Sequence, residues 1–215
     1  MSKIVVYSLL LIAGLGAGFK NFPINHANKF STETSNPAGT KPYLLPDKIK
    51  NAREFAEKNK LDTAIALLID YSRHSGKKRA FLVNISKHQI IDSFLVSHGC
   101  GAHPWGLDYS KHSPTFSNQP ESHCASLGRF KIGSRGKSSW GIFIKYLLHG
   151  LDSSNNNALK RQIVLHGWSD VSDDEIFPNG TPEGWGCPAF SNSAMTVPDS
   201  TFKSRPKPVL LWSFQ

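Results

Sequence analysis

Apolar positions along the chain change period as it proceeds, and the changes mark out its elements. Lys3 precedes a charge-free apolar run from Ile4 to Ala17. At 14 residues the run is short of the roughly 20 that span a bilayer, and it matches the core of a signal peptide behind a positive start. Gly14, Gly16, Ala17 and Gly18 supply the small residues a signal peptidase needs, and no Cys stands there to take a lipid anchor. Residues 1–19 are therefore expected to be a signal peptide or a retained N-terminal anchor. Either way the remainder is exported. From Lys20 to Tyr43 the sequence is rich in Asn, Ser, Thr, Lys and Pro without apolar periodicity, as in a linker. Asp47 then follows Pro46 as an N-cap, and Ile49, Ala52, Phe55 and Ala56 fall at helical spacing. One helix ending near Asn59 completes a linker-and-helix segment over 20–60.

Beyond residue 60 the spacing shortens. Ile65 to Asp70 is a continuous apolar run of the kind a strand buried on both faces carries. Phe81, Val83 and Ile85 alternate with Leu82 and Asn84, Ser86-Lys87-His88 turns the chain, and Ile90 to Val96 follows, which predicts a hairpin. Further strands are expected at 128–132, 142–148, 162–165 and 209–214, separated by long loops rich in Gly, Pro and Ser. Residues 61–215 thus read as one mainly β domain, a sandwich or barrel. The 17 Gly and 13 Pro among 215 residues agree, since both disfavour a helical bundle.

Charge adds little. Lys and Arg number 25 against 16 Asp and Glu, a net charge of +9, but the densest basic run is Lys77-Lys78-Arg79. So scattered a charge suits an anionic envelope as well as nucleic acid, and export removes the nucleic-acid reading.

The chemistry rests on cysteine and histidine. Three Cys (Cys100, Cys124, Cys187) leave at least one thiol free in an exported chain. A Cys100–Cys124 disulfide would leave Cys187 as the odd one. Cys187 follows Gly184-Trp185-Gly186 and precedes Pro188, a sequence that makes a sharp turn and permits close backbone approach. A sulfur on such a turn is presented outward, with neighbouring N–H groups able to meet an oxyanion. The plainer reading is a small buried Cys in a loop. A nucleophilic thiol needs a base, and every His lies upstream. The last, His166, ends the apolar strand Ile163-Val164-Leu165 and precedes Gly167, a placement typical of catalytic side chains. His98, His103, His112 and His123 crowd near Cys100 and Cys124, yet no CxxC pair or HExxH motif gives them metal-site spacing.

Leu165-His166-Gly167, then a loop, then Trp185-Gly186-Cys187-Pro188, resembles the His-Gly … Ser/Thr-x-Gly-Cys motif of YkuD-type L,D-transpeptidases. The wider sequence is similar to the murein L,D-transpeptidase catalytic domain family. That similarity runs through Ser75-Gly76-Lys77-Lys78-Arg79, Val96-Ser97-His98-Gly99, Phe116-Ser117-Asn118, Ser126-Leu127-Gly128 and Asn157-Ala158-Leu159-Lys160-Arg161. Two positions depart from it: Gly184 stands where the family has Ser or Thr, and Ala189 where many members have Arg. The resemblance implies an L,D-transpeptidase-type β-sandwich or barrel with a short N-terminal helix and long active-site loops. It also implies acyl transfer without cofactor or metal on peptidoglycan stem peptides. Cys187 is then the nucleophile and His166 the base, with Gly186 and Gly167 contributing backbone to the oxyanion site. Trp185, His98 and Ser117 face substrate. Products are 3→3 cross-links through a thioester, with an envelope protein as a further acceptor, and the protein is a monomer of the periplasm or cell envelope.

Two other readings stay open. A sortase-like transpeptidase would use His123, Cys187 and Arg205 in that order, although the threonine-rich lead into a sortase Cys is missing. A cell-wall-binding module that has kept the fold and lost activity draws its support from Gly184. Trp140, Trp168 and Trp212 are expected to be core or rim aromatics, and Asp170, Asp173, Asp174 and Glu175 an acidic rim.

Overall fold

A computed structural model of the chain describes residues 45–215, so the expected signal segment and most of the linker lie outside the described residues. Helix α1 (Leu45–Lys58) is followed by strands β1 (Ile65–Asp70), β2 (Ala80–Asn84), β3 (Gln89–Phe94), β4 (Gly128–Lys137), β5 (Ile144–Gly150), β6 (Val164–Gly167) and β7 (Ala189–Phe190), then helix α2 (Asn192–Phe202) and strand β8 (Leu210–Phe214). Among the described residues no helix is long and apolar enough to cross a membrane. The fold is mainly β, as the sequence predicts.

The strands form one eight-stranded sheet in the order β3-β2-β1-β8-β4-β5-β6-β7. Past β3 the chain swings across to the other edge, where the Ser97 N–H bonds the Ala189 carbonyl at 2.9 Å and the Gly184 N–H bonds the His98 carbonyl at 2.7 Å. These contacts nearly close the sheet into a barrel and satisfy backbone groups an open edge would leave exposed.

The apolar run of β1 is buried on both faces, which explains its lack of alternation. Ile65, Leu67 and Ile69 point into the barrel with Leu82, Phe130, Leu148, Leu165, Phe190 and Leu211. Ala66 and Leu68 point the other way and, with Phe81, Val83 and Leu210, receive Leu45, Ile49, Ala52 and Ala56 of α1. The helix is thus packed on the sheet. It begins at Leu45, so Asp47 sits within the first turn, where its charge meets the positive end of the helix, and is not the cap.

Two features escape the sequence pattern. Strand β4 runs on to Lys137, because its exposed half still pairs with β5 across a bulge between Ile132 and Arg135. Helix α2 is missed altogether. Its buried positions, Met195, Pro198, Asp199 and Phe202, keep helical spacing, but a proline and an aspartate hide it. Asp199 is buried because Arg135 Nε (2.7 Å) and the Tyr146 hydroxyl (2.8 Å) both bond its carboxylate.

Candidate active site

Strands β5, β6 and β7 bring the chemistry together. Lys145 of β5 lies opposite His166 of β6, which lies opposite Ala189 of β7. Leu165 points into the barrel, so His166 is turned to the outer face, where Cys187 sits two residues before Ala189. The His166 N–H bonds the carbonyl of the intervening Pro188 at 3.4 Å. Imidazole and thiol line one cavity of about 360 Å³, together with Ser97, Trp105, Trp140, Trp168, Gly184, Trp185 and Ala189.

The turn bearing Cys187 is built around Gly186. That residue has φ +98°, and a Cβ there would stand 2.3 Å from the Cys124 carbonyl oxygen, so only glycine fits. Arg161 fixes the chain behind it, donating to the carbonyls of Ser117 (2.8 Å) and Cys124 (2.7 Å) and to the hydroxyls of Ser126 (2.7 Å) and Ser122 (3.2 Å).

The His166 Nδ1 faces the Gly167 carbonyl at 2.9 Å. A carbonyl only accepts, so Nδ1 carries the proton and Nε2 is left basic. Gly167 thereby acts by orienting the imidazole. Burial lowers the His166 pKa below the usual imidazole value; the Gly167 bond opposes this and the Lys145 charge adds to it. Burial raises the Cys187 thiol, against the Val164 N–H at 3.4 Å from the sulfur and the charges of Arg161 and Lys145. Both shifts favour the neutral forms. The sulfur's hydrogen-bond partners are the Val164 N–H and, weakly, the Gln162 carbonyl at 3.9 Å; it makes no hydrogen bond to the His166 imidazole.

The substrate-facing residues fare unevenly. Trp185 is 63% exposed at the cleft rim and stacks on His123, ring centres 5.5 Å apart. His98 is a correction: it is 0% exposed and lines no part of the cleft. Its Nδ1 accepts from Arg79 Nη2 at 2.8 Å, which leaves Nε2–H to meet Ser110 Oγ at 2.9 Å. Burial, with the Arg79 charge, pushes its pKa down to about 2, so it is neutral at every ordinary pH. Ser117 lies outside the lining of this cavity, its hydroxyl accepting the Gln119 N–H within its own loop.

The cleft walls were not legible. Trp105 stacks on Trp168 at 5.2 Å, and Trp140 meets both, at 6.0 and 6.2 Å. Trp168 is buried while Trp105 and Trp140 are about half exposed, so three indoles form an apolar wall above the Cys–His pair. The histidine-cysteine crowd does not converge in space: His103 stacks on Tyr109 and His123 on Trp185, while His112 meets His74 edge-to-face. Among the described residues no three His, Cys, Asp or Glu side chains gather as a metal site. Cys100, Cys124 and Cys187 are all free thiols, so the Cys100–Cys124 bridge is not formed. Arg205, which the sortase reading needs, is paired with Asp62 at 2.7 Å and lines a different cavity. In the acidic rim, Asp173 is taken up by the Ser191 and Ser193 hydroxyls, and Glu175 by the Lys78 N–H at 2.8 Å.

No curated protein matches this chain. Among solved structures, two crystal structures of the helical cell shape determining protein Pgp2 from Campylobacter jejuni are similar. One, a point mutant, has a TM-score of 0.45 at 9% identity, over 81% of this chain and 57% of that one. The other has a TM-score of 0.44 at 11% identity, over 76% of this chain and 55% of that one. The chain therefore spans little more than half the length of either. The sequence model of the L,D-transpeptidase catalytic domain (YkuD_2) matches residues 37–205, most of the chain and the whole of the His166–Cys187 cleft. With that match, the chain belongs to the L,D-transpeptidase catalytic domain family.

Proposed function

We propose that this protein carries out cysteine-dependent acyl transfer on peptidoglycan stem peptides through a thioester at Cys187. The observation that carries the reading is the shared cleft: His166, its Nδ1 held by Gly167, lies one strand from the Cys187 turn and opens on the same cavity. Family membership supports peptidoglycan as the substrate.

With both groups neutral in the free protein, His166 Nε2 takes the thiol proton as the sulfur attacks, so no thiolate has to be stored beforehand. The missing Sγ–imidazole bond then closes when substrate enters, since catalytic hydrogen bonds are commonly loose before binding. The thiolate adds to the carbonyl joining the diamino acid to the terminal D-alanine. The N–H groups of the Gly186–Cys187 turn receive the oxyanion; one such donor is worth about 100-fold or more in rate. The imidazolium proton passes to the departing amine, D-alanine leaves, and a thioester remains. The side-chain amine of a second stem attacks it, His166 takes the amine's proton and passes it to the Cys187 sulfur as the C–S bond breaks, and a 3→3 cross-link and the free thiol result. Water or a lysine of an envelope protein would resolve the same thioester differently. Export to the envelope follows from where the substrate lies.

Two observations favour a second reading. The raised thiol and the missing hydroxyl at Gly184 suit a module that binds the wall without turning it over. Intact-mass measurement with a carbapenem separates the two. Acyl transfer predicts one adduct on the wild type and none on Cys187→Ala; an unlabelled wild type that still sediments with sacculi supports the binding module. Analysis of wall fragments after incubation then identifies the outcome, because dimers, tripeptides and protein-linked stems differ in mass.

A further inference from the structure

Ser97 is fully buried, yet it lines the cleft that holds Cys187 and His166. It follows Val96, the last apolar residue after β3, and lies along the catalytic turn where the chain crosses to β7. Three hydrogen bonds join it to that turn. Its N–H donates to the Ala189 carbonyl at 2.9 Å, its Oγ accepts the Ala189 N–H at 3.2 Å, and its hydroxyl donates to the Cys187 carbonyl at 3.4 Å. The side chain thus bridges the peptide groups on either side of Pro188, which has no N–H of its own to steady the turn.

The neighbouring residues anchor Ser97 from behind. Arg79, wholly buried, donates through Nε (3.2 Å) and Nη2 (2.9 Å) to the Val96 carbonyl and through Nη2 to His98. The His98 carbonyl holds the Gly184 N–H at 2.7 Å, and the Gly184 carbonyl holds the Cys100 N–H at 2.8 Å. Residues 97–100 therefore hold the nucleophile's turn at both ends, Gly184 and Ala189. At Gly184, where the family's motif carries a hydroxyl, this chain has none, and the hydroxyl inside the cleft comes instead from Ser97.

We infer that Ser97 is a positioning residue for Cys187, its hydroxyl taking over the function of the side chain absent at Gly184. The inference rests on Cys187 being the nucleophile. By bonding the Cys187 carbonyl, Ser97 sets the rotation of the peptide that follows the nucleophile, and with it the direction of the sulfur and of the adjoining N–H groups. A misplacement of about 1 Å at a reacting centre costs on the order of 100-fold.

The test is the rate of Cys187 acylation by a stem tetrapeptide, followed by intact mass across substrate concentrations. Ser97→Ala is expected to lose about 10- to 100-fold in the limiting rate with the half-saturating concentration changed less than about threefold. Adding Gly184→Ser to Ser97→Ala is expected to restore at least a third of the loss on a logarithmic scale. The new side chain has room, because a Cβ at Gly184 meets only Trp168 Cζ3 at an ordinary 3.7 Å. Ser97→Thr and Ser97→Val, equal in shape, read the hydroxyl independently of packing, with Thr expected to be at least 10-fold faster. Ser97→Ala at the wild-type rate, equal rates for Thr and Val, or no gain from Gly184→Ser would each overturn the inference. A wild type that is never acylated contradicts the proposed function and is read separately, from the same mass spectra.

Discussion

At the scale of single residues, the site depends on positions where the chain has no freedom. Gly186 combines φ +98° with a carbonyl 2.3 Å from where a Cβ would go. Gly186→Ala is expected to lower folding stability by about 2 kcal/mol or more, since backbone strain alone costs about 1–2 kcal/mol; urea unfolding measures it. The titrating pair gives a second expectation. His166 must be unprotonated to act as base, and its pKa is lowered, so acylation is expected to hold its rate down to a pH below the usual imidazole value and then fall. Alkylation of Cys187 by iodoacetamide without substrate should instead rise only above the ordinary thiol range. A rate limb at or above the usual imidazole pKa, or fast alkylation at neutral pH, would mean a preformed ion pair. The sequence marks Cys187 and His166 as candidates because a glycine-flanked turn and a polar residue at a strand end leave local signs, and the structure places both on one cleft. His98 leaves a false sign. A histidine beside glycines suggests a site, and its burial is set by Arg79, 19 positions earlier, just before β2.

Among the elements, strands and α1 were readable because their apolar spacing is dictated by what they bury, barrel interior on one side and helix on the other. Helix α2 was not. Its buried face, Met195 and Phe202, is interrupted by Pro198 and by Asp199, whose carboxylate pairs with the half-exposed Arg135. Ser191 caps it by accepting the Ala194 N–H at 3.0 Å and also donates to Asp173. Ser191→Ala is expected to cost about 1 kcal/mol, seen as a melting point lower by roughly 2–4 °C, with β6 and β7 still formed by circular dichroism. The tryptophan wall was equally hidden. Trp105, Trp140 and Trp168 come from three separate connections, and only closure of the barrel brings those loops to one rim.

For the molecule as a whole, the buried polar core behind the cleft makes stability depend on pH. His98 titrates near 2 when folded and near the ordinary imidazole value when unfolded. Between those values the unfolded chain binds the extra proton, so this contribution is complete above about pH 6.5 and is lost progressively as the pH falls. His98→Gln is expected to unfold more easily at pH 7 yet to lose less stability than the wild type between pH 7 and pH 5, measured by urea midpoints. Parallel losses in the two proteins would show that His98 is not the group responsible. The same network ties Arg79, His98 and Glu183 to the backbone that carries Gly184, so fold and site share one support.

The proposed function stands on Cys187 carrying the acyl group of a peptidoglycan stem. Incubating the protein with a purified disaccharide tetrapeptide, quenching in acid and mapping the modified peptide tests it most directly. One D-alanine is expected to be released for each protein that gains the tripeptide acyl mass, with that mass on Cys187, absent from Cys187→Ala and much reduced in His166→Asn. D-alanine release without any mass on Cys187, or an acyl group found on Cys100 or Cys124, would contradict it.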